Sequence, residues 1–205
     1  MQGLFNMSHN TNQQRATLRK QLRQQRRSLD TATQLEHALS ITRQLTSCAL
    51  YRRSKRIAAY LAEDGEIDAE FLIYHAWRSN KKVYLPVLSP FADRLYFAPF
   101  KPGCKMKLNR FNIAEPDVHP RYWLKPKQLG LILMPLVGFD AEGNRLGMGG
   151  GFYDRSLEFT RYHKASHRPA LIGLAHQLQQ VEQLPHQPHD IPMQMIATEQ
   201  QLILC

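Results

Sequence analysis

Cysteine is scarce, long apolar runs are missing, and acids are outnumbered. The three cysteines of this 205-residue chain, Cys48, Cys104 and Cys205, are odd in number and far apart, with no CxxC pair. That excludes a disulfide scaffold and suits a reducing, cytoplasmic setting. The longest apolar runs, near 131–137 and 57–62, fall well short of the roughly 20 residues of a membrane span, so no membrane partner is expected. Residues 1–12 are polar and lack the apolar segment of a secretory signal. They read as a flexible leader ahead of one domain over 13–205. A chain of this length buries a sizeable core unaided.

Seventeen Asp and Glu stand against 27 Lys and Arg, a formal charge of +10. An excess of that sign favours anionic partners: phosphates, polycarboxylates or nucleic acid. No aromatic RNA-binding motif and no Cys/His finger is present, which argues against nucleic acid. Arg15, Arg19, Lys20, Arg23, Arg26 and Arg27 share one stretch without an acid, and Arg52, Arg53, Lys55 and Arg56 form another. Such runs are most often solvated helix faces. Arg15 and Arg19 sit four apart, however, and two aligned guanidinium forks can grip one phosphate.

Hydrophobic spacing predicts helices over 14–29, 31–49, 69–79 and about 153–162, with Ser28 or Asp30 as a cap for the second. Short apolar runs predict strands at 57–61, 82–87, 94–99, 129–135 and 170–175, and a last strand or pair near 196–204. Residues 100–120, with Pro102, Gly103, Pro116 and Pro120, read as irregular, and 183–193 as a Pro- and His-rich loop. Buried strands alternating with helices predict a single three-layer α/β domain with a largely parallel sheet.

The stretch 143–151 holds five of eleven glycines, after a buried strand and before a helix. A backbone free of Cβ atoms folds tightly and presents successive N–H groups to an anion, and a helix N-terminus behind it adds a favourable dipole. Arg145 and Arg155 flank the loop. It is neither a Walker A loop nor a GxGxxG fingerprint, and a glycine turn needed only for packing stays open. Asp154 is placed either to hold magnesium on phosphates or to cap the helix. Asp190 is a second isolated acid. Glu66 lies in the acidic segment 63–68 after a strand, where a carboxylate can accept hydrogen bonds from a heterocycle; a solvated turn with Asp68 as cap is the plainer alternative. His186 and His189 are three apart without a convincing third ligand, so no zinc site is expected there. No Ser or Cys sits in a nucleophile elbow, which argues against a hydrolase.

Residues 134–140, Met-Pro-Leu-Val-Gly-Phe-Asp, running into 143–155, closely resemble the signature of the 5-formyltetrahydrofolate cyclo-ligases, or 5,10-methenyltetrahydrofolate synthetases. Arg15-Ala16-Thr17-Leu18-Arg19 resembles that family's basic N-terminal motif, and Glu66-Ile67-Asp68 its Glu-(Val/Ile)-Asp element. Asn112-Ile113-Ala114-Glu115-Pro116, 172–177, Leu184-Pro185 and His189-Asp190 match further stretches. The resemblance implies a fold like the sugar-phosphate isomerase and CoA-transferase class. It implies ATP-dependent cyclisation of 5-formyltetrahydrofolate, carrying a polyglutamate tail or not, to 5,10-methenyltetrahydrofolate by a monomer. It carries ATP contacts onto Arg15, Arg19, Arg145, Leu146, Gly147, Met148, Gly149, Gly150, Gly151, Phe152 and Tyr153. It carries substrate contacts onto Arg19, Leu61, Glu66 and 148–152, magnesium ligation onto Asp154 and Asp190, and catalytic roles onto Arg145 and Asp154. Met148, Gly150, Phe152, Asn112 and the pair Ala175-His176 depart from the family's usual residues.

Overall fold

The structure is a computed structural model that describes residues 2–162 and 169–205, with side chains from Thr11 onward. Helix α1 (Gln2–Arg27) covers the helix expected at 14–29 except its last two residues and runs back through the residues read as a leader. Met1 lies outside the described residues. Helix α2 (Thr31–Ser47) starts at Asp30, whose carboxylate accepts the Thr33 N–H at 2.8 Å. It buries Ala38, Ile41 and Leu45, three and four apart, as an amphipathic helix must. The extended backbone of Cys48 ends it short of 49, and a separate turn, α3 (Ala49–Arg53), follows. Helix α4 (Glu70–Arg78) begins after Asp68, which accepts the Glu70 N–H at 2.9 Å. Helix α5 (Phe152–Leu157) has only six residues and passes into a tighter 3-10 turn, Glu158–Arg161.

The strands are, in chain order, β1 (Arg56–Ala58), β2 (Lys82–Leu88), β3 (Leu95–Phe100), β4 (Met106–Leu108), β5 (Ala114–Pro116), β6 (Leu131–Pro135), β7 (Gly138–Phe139), β8 (Arg145–Leu146), β9 (Ala170–Leu174), β10 (Met195–Ala197) and β11 (Leu202–Leu204). Among the described residues, seven form the main sheet in the order β11-β10-β9-β6-β1-β2-β3. The interior pairs are parallel, and β3 and β11 close the two edges antiparallel. Side chains alternate between two cores. Leu131 and Leu133 of β6 pack with α2 and α4 residues, while Ile132 and Met134 face the core that holds Leu157 of α5. Helices therefore flank a mostly parallel sheet, as expected.

Residues 100–120 are not irregular throughout, because β4 and β5 pair as an antiparallel hairpin. Pro116 pairs with Met106 at the end of that two-stranded ribbon, where a residue without an N–H is tolerated. Glu115 anchors the hairpin, accepting the Leu88 N–H and the Asn109 side-chain amide, each at 2.8 Å.

From β1 the chain crosses through α4 to β2 on one side, whereas β6 lies on the other side of β1. Connections leaving the carboxyl ends of β1 and β6 diverge there and open a crevice, the place where open parallel sheets take ligands.

Candidate functional site

A cavity of about 720 Å³ occupies that crevice. Tyr60, Leu61, Asp64 and Glu66 line it from the segment after β1, and Pro135 and Leu136 from the end of β6. Leu85, Leu88 and Leu95 supply an apolar side wall. The glycine loop and the start of α5 add further lining.

Arg15, Arg19, Leu61, Glu66, Arg145, Gly147, Met148, Gly149, Gly150, Gly151, Phe152, Tyr153, Asp154 and Asp190 all line this cavity. Leu146 does not: it is fully buried against Leu22, Val137 and Leu184. Its contribution is to seat the loop rather than to face a ligand.

The loop is delivered by a small hairpin, β7 paired with β8. Asp140 shapes the turn, accepting N–H groups of Glu142, Asn144 and Leu184 at 3.0–3.1 Å and the Asn144 amide at 3.0 Å. Arg145 on β8 is thereby pointed across the loop, where Nη2 donates to Asp154 Oδ1 at 2.6 Å. Its guanidinium also stands 5.8 Å from the centre of the Tyr153 ring. Arg145 is buried, and its Nε has no hydrogen-bond partner. A buried cationic N–H left unmatched marks a place made for an additional acceptor. Gly149 (φ +104°) and Gly151 (φ +63°) lie in the left-handed region that glycine tolerates best. With α5 so short, the dipole expected behind the loop is minor, and the arginines carry the positive field.

Both candidate metal ligands are held by arginines. Arg15 grips Asp190 with both guanidinium branches, at 2.6 and 3.3 Å, and donates to the Pro185 carbonyl at 2.7 Å. Burial raises the Asp190 carboxyl, but the Arg15 and Gln187 hydrogen bonds outweigh it and hold it below the usual range. Asp154 Oδ1 also accepts the N–H of Ile191, so the two acids belong to one corner of the cavity. Asp154 sits in the first turn of α5 but does not cap it, since Gly151 holds that position. Arg19 donates to the Gly147 carbonyl at 2.8 Å, tying α1 to the glycine loop.

The basic run on α1 is only partly a solvated face: Lys20 and Arg27 are exposed, whereas Arg15 and Arg26 are buried. Arg26 is fully buried, donating to the Asp64 carbonyl (2.8 Å), the Asp64 carboxylate (2.9 Å) and the Leu136 carbonyl (3.1 Å). It thus locks α1 to both segments that form the crevice. Arg23 and Arg27 pair with Asp64 as well. Glu66 stands 3.8 Å from Arg26, with only 12% of its side chain exposed. Burial pushes its carboxyl up to about 7, against the opposing pull of Arg26. A carboxyl poised near neutrality in a cleft is a group kept for binding or proton work. The plainer reading of Glu66 as a solvated turn residue is therefore set aside.

Sequence reasoning missed three contributors. Arg26 shares a helical stripe with Arg15, Arg19 and buried Leu22 at spacings of four, three and four, which is the signal that could have found it. Phe111 reaches the cavity from the β4–β5 turn and meets Phe152 edge-on, with ring centres 5.7 Å apart. Glu115 positions that hairpin and lines the cavity itself. The departures also find places. Asn112 adopts φ +60°, the left-handed conformation that glycine and asparagine share, and a Cβ at Gly150 would stand 2.9 Å from the Phe152 ring.

Residues 11–199 match the model of the 5-formyltetrahydrofolate cyclo-ligase family. A 5-formyltetrahydrofolate cyclo-ligase of Haemophilus influenzae is 42% identical over 182 residues, covering 88% of this chain and 95% of that protein. The Escherichia coli K12 enzyme of the same name is 39% identical over 178 residues, covering 86% and 96%. The solved structure of Aquifex aeolicus 5,10-methenyltetrahydrofolate synthetase superposes with a TM-score of 0.78 at 27% identity, covering 93% of this chain and 92% of that one. A Mycoplasma pneumoniae synthetase shares the fold with a TM-score of 0.69 at 23% identity, covering 90% and 98%. On this evidence the chain belongs to the 5-formyltetrahydrofolate cyclo-ligase family.

Proposed function

We propose that the cavity binds ATP and 5-formyltetrahydrofolate side by side and joins the formyl carbon to N10, releasing 5,10-methenyltetrahydrofolate, ADP and phosphate. The observation that carries this reading is the division of one cavity into two chemistries. Arg15, Arg19, Arg145 and the glycine loop make a cationic end suited to a triphosphate. Glu66, with Leu85, Leu88, Phe111 and Phe152, makes an end suited to a flat heterocycle that offers N–H donors.

The formyl oxygen attacks the γ-phosphorus, and the bond to ADP breaks. N10 then attacks the activated carbon and loses its proton, and the carbon–oxygen bond breaks as phosphate departs. Neither step needs a protein nucleophile. What the chain supplies is alignment and charge neutralisation. Arg145 turns its unmatched Nε toward the transferring phosphoryl group, and Arg15 and Arg19 hold the remaining phosphates. Glu66 fixes the heterocycle, and Phe111 with Phe152 excludes water from the joint. Asp154 and Asp190 are hard oxygen donors in one corner, the set a magnesium ion bound to phosphates accepts. Arriving phosphates give Arg145 and Arg15 new anions to bind and free those carboxylates. When bound, magnesium neutralises phosphate charge.

We assign the exposed groove of Lys20, Arg23 and Arg27 beside the cavity to steering a polyglutamate tail. No described helix is long and apolar enough to cross a membrane. A cytoplasmic monomer fits the free cysteines and the self-contained cavity.

The direct test mixes purified protein with 5-formyltetrahydrofolate, ATP and magnesium and follows the near-ultraviolet absorbance of the methenyl product. Growth of that absorbance only with ATP, and weakened by Asp154→Ala, supports the reading. A flat trace from folded protein refutes it.

A further inference from the structure

Outside the cavity, three side chains distant in sequence converge behind the turn that carries Glu66. His37 comes from α2, His176 follows β9, and Glu199 lies between β10 and β11. One ligand atom from each lies within 4.8 Å of the others. His37 Nδ1 is 2.8 Å from His176 Nδ1 and 3.7 Å from Glu199 Oε2. A tetrahedral ion with bonds of about 2.0–2.1 Å sets its ligand atoms about 3.3–3.4 Å apart, between those two separations. We propose that His37, His176 and Glu199 form a site for a zinc-class divalent ion, bound through both Nδ1 atoms and a Glu199 oxygen, with water completing the shell.

Hydrogen bonding around the trio prepares the ligand forms. His176 Nε2 lies 3.1 Å from the Gly65 carbonyl oxygen. A carbonyl can only accept, so Nε2 carries the hydrogen and Nδ1 presents its lone pair. Ligating histidines are held in this way, with the far nitrogen donating to a carbonyl that fixes tautomer and ring angle. The His176 ring is fully buried, and burial pushes its acidity to about 4, which keeps it neutral at physiological pH as a ligand must be. Glu199 Oε2 accepts the Gln177 N–H at 2.9 Å, so a backbone amide fixes the carboxylate. His37 and Glu199 keep 18% and 14% of their side chains exposed, which leaves an entry path.

Without the ion, the close nitrogens share one hydrogen, which His37 Nδ1 donates to His176 Nδ1. Binding transfers that hydrogen to His37 Nε2, with no net loss of a proton from the trio. Two imidazoles and one carboxylate favour zinc over magnesium, which prefers oxygen donors alone. The site is thus separate in chemistry from the Asp154–Asp190 corner and does not rest on the reading given to the cavity.

The test strips the full chain with a chelator and titrates zinc against a chromophoric competitor. The expected result is one tight equivalent per chain, weakened at least about 100-fold by His37→Ala and clearly weakened by Glu199→Gln. Zinc should also raise the melting temperature of the parent protein and not of His37→Ala, which separates a lost site from a damaged fold. The double variant His186→Ala/His189→Ala should keep the tight equivalent. No tight equivalent, or one that survives His37→Ala, would reduce the trio to a hydrogen-bonded histidine pair and overturn the proposal.

Discussion

Glu66→Gln should separate stability from activity in opposite directions. The structure holds the Glu66 carboxyl at about 7 against an ordinary 4.5, because burial penalises the charge more than Arg26 rewards it. At about 1.4 kcal/mol per pH unit, the ionised carboxylate costs the fold about 3 kcal/mol. The sign follows from linkage. A carboxyl whose folded value is raised leaves stability intact below the unfolded value, and that stability is lost as pH rises through the folded one. The window runs from 4.5 to about 7. Glutamine cannot ionise, so the variant should match the parent near the bottom of that window and exceed it by about 3 kcal/mol above its top. For a chain of this size that is about 6–12 °C in melting temperature. Taking the variant-minus-parent difference at each pH cancels the titrating groups that do not interact with Glu66. Thermal melts across that range supply the measurement. Meanwhile kcat/KM should fall about 10- to 100-fold, the weight of a charge-assisted hydrogen bond to the heterocycle, while ATP binding survives. A stability difference that does not change with pH would refute the electrostatic argument, and unchanged kcat/KM would refute the binding role.

Other substitutions probe the neighbouring links. Arg26→Met leaves Asp64 and Glu66 without their buried cation, and urea denaturation should show a loss of about 3–5 kcal/mol; a loss below about 1 kcal/mol would contradict the lock described for α1. Gly149→Ala forces a Cβ onto a backbone at φ +104°, costing about 1–3 kcal/mol locally, and should raise the KM for ATP far more than that for the folate. Asp190, held low by Arg15, contributes stability above its unfolded value that is lost as pH falls through the folded one. Asp190→Asn should therefore flatten the acid limb of the stability curve below about pH 4. A longer polyglutamate tail should lower the folate KM at low salt and lose that advantage at high salt, when the Lys20–Arg23–Arg27 groove is screened.

Features encoded within a few residues are legible in the sequence. The Asp30 cap, the apolar strands β6 and β9 and the glycine loop each declare themselves within a few residues. Features made by distant pairs did not. Arg15 and Asp190 are 175 residues apart, and nothing in either neighbourhood says that one holds the other. The β4–β5 hairpin is hidden because Pro102, Gly103, Pro116 and Pro120 read as breakers, yet the ribbon's end admits Pro116 and a left-handed Asn112 lies in the connecting turn. Arg26 reads as one member of a basic run, although Leu22, one turn earlier on its stripe, belongs to the core. His37, His176 and Glu199 come from three separate elements, so their meeting is a product of topology alone.

The central claim is that one cavity transfers the γ-phosphoryl group of ATP to the formyl oxygen before N10 closes the ring. A turnover experiment with substrate carrying oxygen-18 in the formyl group tests it most directly. Mass analysis of the released phosphate should find the heavy oxygen there, one atom for each methenyl product formed. Label recovered in water, or product formed without labelled phosphate, would contradict the account.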